Sequence, residues 1–162
     1  MYTIDIVYTF GIMGGIKEMI EMLMENATNV RKEWSSVVDS VMHDKPKLIK
    51  RTRDRMWLSN LETMKEILDI YTFTAEKHTE PDGSVTLSLN EIDLVENAPS
   101  ETEARLCMGK SIMEYALEYY NEYQLYSKAP NRKGHIPYVF KALITDDPRK
   151  IGECIVCQDG KS

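Results

Sequence analysis

Across 162 residues the chain is 43% hydrophobic and 28% charged, with a formal net charge of −6 and a pI near 5.2. That is enough apolar sequence to build one domain or two small ones, and too ordinary a charged fraction for wholesale disorder. Three cysteines, an odd number, argue against a disulfide framework and suit a reducing, cytoplasmic setting.

The first apolar run, "IVYTFGIMGGI" from Ile6 to Ile16, has eleven residues, against the roughly 20 that a membrane-spanning helix needs. Asp5 precedes it, no basic flank accompanies it, and no small-residue cleavage pattern follows. Residues 1–20 are therefore expected to be an N-terminal extension of the fold, a buried strand or a partner-binding arm. Met19, Met22 and Met24 stand as later candidate starts. No membrane association is expected.

The charge is unevenly placed. Asn26 to Leu68 carries nine Lys and Arg against six Asp and Glu, whereas Glu76 to Gln124 carries three against eleven, and Leu125 to Ser162 seven against four. This asymmetry predicts a basic module followed by an acidic one. An acidic surface attracts basic partners and repels nucleic acid.

Within the basic segment, "NATNVRKEWSSVVDSVMHDKP" predicts an amphipathic helix. Val30, Trp34, Val37, Val38, Val41 and Met42 recur at helical spacing as one stripe, Asn26 or Thr28 can cap its start, and Pro46 closes it. Asn29, Arg31 and Lys32 then fall near the first turn on the polar side, where a cation and free backbone N–H groups suit phosphate or a base edge. Next come two short strands, "KLIK" and "RMWLS", joined by a polar turn, "RTRDR". "SNLETMKEILDIY" predicts a second helix with Ser59 or Asn60 as cap and Leu61, Met64, Leu68 and Tyr71 along one face. Six cations crowd into Lys45 to Arg55. A lone hairpin is marginal by itself, so pairing between two copies is expected.

The order of these elements, with "TNVR" (Thr28 to Arg31), Pro46, "IKR" (Ile49 to Arg51), the polar turn, "MWLS" and "SNLETM", resembles the Phd/YefM antitoxin family over roughly Met22 to Tyr71. The resemblance implies a homodimer, or a higher oligomer, that docks on operator DNA. Arg31 would reach a groove from the "TNVR" pattern that Thr28 opens, and Arg51 would touch the backbone. Lys32, Lys50, Arg53 and Arg55 are basic neighbours able to contact phosphate. The family's turn usually contains glycine, and "RTRDR" departs from that.

The acidic segment opens with "FTAEKHTEPDGSVTLSLNEIDLV". "PDG" is a turn signal, and the strict alternation of "SVTLSL" puts Val85, Leu87 and Leu89 on one face. In "APSETEA", Ser100 followed by Glu103 makes a capping box. The helix it starts aligns Ile112, Tyr115, Ala116, Tyr119 and Tyr123, which are read as core and rim. The β-β-β-α order is similar to the HicB-type, partial RNase H-like antitoxin module over Thr72 to Gln124. That likeness implies a docking surface for a small basic toxin and no nuclease activity; Asp82, Glu91 and Asp93 are given turn and surface roles. "APNRKGH" is read as a loop before a helix starting near Ile136, with a second nucleic-acid contact through Lys128, Arg132, Lys133 and His135 as the alternative.

No pattern in the chain points to catalysis or to a metal site. "CIVC" (Cys154 and Cys157) has zinc spacing but no matching second pair, and His43, His78 and His135 are scattered. "GIMGG" lacks the Lys-Ser/Thr of a phosphate loop. No metal, cofactor or catalytic residue is expected.

The expected architecture is α+β. Residues 21–71 form a β-α-β-β-α dimerisation and DNA-binding domain, 72–124 an acidic β-β-β-α domain, and 125–162 a helical C-terminal tail. The expected function is that of an antitoxin-like transcriptional regulator with duplex DNA and a basic toxin as partners. Its rivals are an orphan protein-interaction module that never touches DNA and an RNA-binding or RNA-processing protein built on the RNase H-like half.

Overall fold

The computed structural model describes residues 12–160, and the chain divides into two compact units, Met1–Thr63 and Met64–Ser162. The N-terminal unit contains helix α1 (Ile12–Leu23), strand β1 (Met24–Asn26), helices α2 (Ala27–Lys32) and α3 (Trp34–His43), and strands β2 (Lys47–Arg51) and β3 (Asp54–Leu58). Helix α4 (Leu61–Leu68) leads out of it. β2 lies between β1 and β3, parallel to the first and antiparallel to the second. A parallel pair cannot be closed by a hairpin, and α2 with α3 supplies the crossover. Ile49 points from β2 into the helices and is buried with Val30, Val37 and Val41.

Four local features differ from expectation. The apolar run from Ile6 is helical from Ile12 onward, and its earlier residues lie outside the described ones. The long helix is broken at Glu33, whose backbone leaves helical geometry (φ −113°, ψ 30°). Of the six-residue apolar stripe, Val30, Val37 and Val41 are buried, whereas Trp34 and Met42 are each 54% exposed. A stripe that broad exceeds what a three-stranded sheet can cover. The polar turn is also tighter than "RTRDR", because Arg51 pairs with Asp54 and leaves Thr52 and Arg53 as its two central residues.

The C-terminal unit opens with strands β4 (Thr74–Thr79), β5 (Val85–Leu89) and β6 (Val95–Ala98), followed by the long helix α5 (Glu101–Asn121). Gly83 takes the positive φ (86°) that the β4–β5 turn requires. Ser100 caps α5, its Oγ accepting from Glu103 N–H at 3.3 Å and donating to Glu103 Oε2 at 3.0 Å. Helices α6 (Tyr123–Tyr126), α7 (Ile136–Thr145) and α8 (Pro148–Glu153) follow, with a 3₁₀ turn at Lys133–His135 ahead of α7.

The tail is not purely helical, and this corrects the expectation. Strand β7 (Val156–Asp159) pairs in parallel with β4 and completes a sheet ordered β6-β5-β4-β7. The Val156 N–H begins the ladder by donating to Phe73 O at 2.9 Å. Apolar alternation over Ile155 to Cys157 is too short to read as a strand, and it is burial of Ile155 in the common core that fixes it. That core joins Leu87 and Leu89 of β5, Met108, Ile112 and Tyr119 of α5, Val139 of α7 and Ile151 of α8. α5 and α8 cross backbone to backbone: a Cβ at Gly109 would lie 2.0 Å from Pro148 O, and one at Gly152 would lie 2.4 Å from Arg105 O. No helix among the described residues is long and apolar enough to cross a membrane.

Candidate nucleic-acid interface

The cations singled out in the sequence fall into three groups. The first sits on α2. Asn26 is the cap, its Oδ1 accepting from Thr28 N–H at 2.8 Å. The helix has six residues, so Arg31 and Lys32 occupy its last turn rather than an early one. The N–H of Thr28 is therefore already engaged. Thr28, Arg31 and Lys32 are exposed, and neither cation forms an ion pair among the described residues.

The second group marks the hairpin tip. Side chains alternate along a strand, so Arg51 lies on the same side of the sheet as Ile49, the side that α2 and α3 cover. Arg51 contacts Asp54 at 3.2 Å, with both side chains mostly in solvent (74% and 68% exposed). A pair this exposed contributes about 0–1 kcal/mol and leaves Arg51 free to exchange partners. Between them Thr52 holds a left-handed backbone conformation (φ 57°), which a β-branched residue adopts at a cost of about 1–2 kcal/mol. Arg53, beside it, is exposed and forms no ion pair among the described residues.

The third group lies on the opposite side. Lys50 and Arg55 are directly paired across β2 and β3. Both reach one acid, Glu21 near the end of α1: Lys50 Nζ lies 3.3 Å from its Oε2, and the Arg55 guanidinium bonds its other oxygen. The register thus separates Lys50 and Arg55 from Arg51 and the helices. Nothing local in the sequence marks Glu21; the parallel pairing of β1 with β2 brings the end of α1 to Lys50, its partner 29 positions along the chain.

The same unit exposes a good deal of apolar surface. A cavity of about 530 Å³ opens beside Val30, Trp34, Ile49, Met56 and Leu58, with Arg31 at its edge. Leu48 and Trp57, also a directly opposed pair, are 37% and 45% exposed, and Trp57 also borders the cavity.

In the C-terminal unit two of the four basic loop residues, Arg132 and His135, have structural occupations. The Arg132 guanidinium lies 4.1 Å above the Tyr126 ring. Its carbonyl accepts from the buried Tyr119 hydroxyl at 3.1 Å. Tyr115 and His135 share a 2.6 Å hydrogen bond, and burial lowers the His135 pKa and raises that of Tyr115, keeping both neutral. Lys128 and Lys133 remain exposed. Asp82 accepts from Ser84 N–H and Oγ at 2.9 and 2.7 Å, bonds that hold its carboxyl below the usual range. Glu91 accepts from Thr74 N–H at 2.9 Å. These are turn and strand-end roles, and among the described residues no three acidic, histidine or cysteine side chains are grouped to hold a metal.

A family model described as the PHD-like antitoxin of toxin–antitoxin systems of the RelE/RelB kind matches residues 19–157. The chain belongs to that antitoxin family. A solved structure from Syntrophomonas wolfei subsp. wolfei, described as the antitoxin part of a proposed toxin/antitoxin system, has a TM-score of 0.81 to this antitoxin. It shares 31% identity over 85% of this chain and 99% of its own. No curated protein matches. The family span covers both units, so the basic hairpin and the tyrosine-rich helix belong to one antitoxin design, and an antitoxin implies a toxin partner.

Proposed function

We propose that this antitoxin is a non-enzymatic cytoplasmic regulator that docks on operator DNA as a homodimer through its N-terminal unit and binds a basic toxin through its acidic C-terminal unit. The observation that carries the reading is the placement of Arg31, Lys32, Arg51 and Arg53. All four are exposed, none is neutralised by more than one solvent-facing acid, and all belong to a helix end or a hairpin tip, where a cation can reach phosphate. Lys50 and Arg55 join the contact once Glu21 releases them. Thr28 offers its hydroxyl beside Arg31. The open cavity near Trp34 and Met56 and the opposed pair Leu48 and Trp57 supply apolar surface for a second copy, which would double the cationic footprint.

The test is duplex binding by fluorescence anisotropy across a salt series, using DNA from upstream of the gene. Each neutralised phosphate contributes about −0.9 to the slope of log affinity against log salt. Arg53→Ala is expected to lower the slope by about that amount in each protomer and to weaken all sequences alike. Arg31→Ala, if Arg31 meets a base edge, costs about 1–3 kcal/mol at one position of the site. Affinity indifferent to salt and to both changes would remove DNA from the reading.

A further inference from the structure

The outward side of α5 carries a line of apolar side chains beside a row of acids. Met113, Leu117 and Tyr120 are spaced by four and three residues, which sets them in a line along the helix. Met113 is half-buried, whereas Leu117 and Tyr120 are 50% and 56% exposed. Phe140 of α7 extends this ridge, its ring edge-on to Tyr120 at 6.2 Å. Beside the ridge run Glu114, Glu118 and Glu122 at four-residue intervals, all exposed. Glu118 also accepts from the Tyr126 hydroxyl.

We propose that this apolar ridge and its acidic border seat a basic amphipathic helix of the toxin, an assignment that rests on the antitoxin reading above. Charge decides the occupant. A second copy meeting this face about a two-fold axis would set the carboxylate row against itself, with Lys110 as the one cation in line with it on α5. Nucleic acid would meet the same repulsion. A helix carrying Lys or Arg at four-residue intervals beside an apolar stripe matches both rows at once. Ridge and row run along the axis of α5, which suits a partner helix lying lengthwise upon it.

The probe is a fluorescein-labelled synthetic helix, leucine on one face and lysine on its flanks, titrated into the full chain by anisotropy. Leu117→Asp, and separately Glu114→Lys with Glu122→Lys, are each expected to weaken binding by roughly tenfold or more. A peptide with glutamate in place of lysine is expected to bind the Glu→Lys protein better than the wild type. Equal affinity of the lysine peptide for all three proteins overturns the proposal. So does a sedimentation result in which Leu117→Asp splits a dimer, because the face would then belong to a second copy. Operator-duplex binding measured on the same samples is expected to be unchanged in the variants. Its absence from the wild-type protein would overturn DNA docking and leave the peptide result standing.

Discussion

Leu87, Met108, Ile112, Tyr119 and Val139 are completely or almost completely buried in the C-terminal unit, whereas the N-terminal unit, among the described residues, buries Val30, Val37, Val41 and Ile49 and leaves Trp34, Leu48, Met56 and Trp57 in solvent. The first core closes on itself: sheet, long helix and two further helices supply apolar side chains from every direction. The second is a thin layer, two short helices on one face of three strands, with unburied side chains of the size that cores are made of. Exposed apolar patches of this kind mark surfaces meant to be covered. One unit is therefore expected to be stable alone, the other to depend on association.

The sharpest way to break this contrast is to damage the closed core. Tyr119→Ala removes a fully buried ring and the hydrogen bond that anchors Arg132, and is expected to cost about 3–5 kcal/mol. Both tryptophans, Trp34 and Trp57, lie in the N-terminal unit, so their fluorescence reports that unit while far-UV circular dichroism reports the whole chain. In urea the dichroism transition is expected to move to lower concentration and the fluorescence transition to stay. If both move together, the two units unfold as one block and the contrast fails.

Next in size is the loss of association. Leu48→Asp with Trp57→Asp puts two carboxylates on an apolar pair that the described residues leave partly exposed. Light scattering is expected to show a dimer becoming a monomer. The midpoint of the Trp34 fluorescence transition should lose its dependence on protein concentration, since mass action no longer links folding to assembly. A wild-type monomer, or a double variant that still dimerises, would mean that these side chains cover nothing.

How far the sequence alone carried the fold depends on the range of the interactions that decide each element. The capping box at Ser100, the "PDG" turn, the alternation of Val85, Leu87 and Leu89, and a helix beginning at Ile136 were all legible, because each is set by residues within a few positions of one another. Strand β7 was not, since its partner β4 lies some 80 positions earlier and only the shared core selects it. The break at Glu33 was hidden because Val30, Val37 and Val41 share a stripe in a straight helix as well. In the candidate interface the cations themselves were legible by count, but their division between two sides of the sheet follows from register, and the hold of Glu21 on Lys50 and Arg55 from a parallel pairing that no local pattern announces.

That hold supplies a smaller test of the N-terminal unit. Glu21→Gln removes the shared acid from Lys50 and Arg55 while keeping the shape of the side chain. Both ammonium and guanidinium then face solvent unneutralised, and the operator duplex is expected to bind several-fold more tightly at low salt. The salt slope should steepen by up to about 0.9 for each cation that gains a phosphate. An unchanged slope would confine DNA contact to the other side of the sheet, with Arg31, Lys32, Arg51 and Arg53.

The smallest expected effect is a pH dependence confined to the C-terminal unit. Burial, opposed in part by Asp93 and reinforced by Arg132, lowers the His135 pKa below its usual 6.5, and Tyr115 faces its Nδ1 at 2.6 Å. A histidine whose folded pKa is depressed favours the folded state fully above its unfolded value and loses that contribution as pH falls towards the folded value, because the unfolded chain binds the proton more tightly. Thermal midpoints should therefore fall between pH 7.5 and pH 5.5 by more in the wild-type protein than in His135→Asn. The carboxylates whose pKa is held low here, Asp82 by Ser84 and Glu101 by Arg105, start from unfolded values near 4 and act in a more acidic range, so the difference between the two proteins isolates the imidazole. Equal slopes would mean that the imidazole meets water as freely in the folded loop as in the unfolded chain.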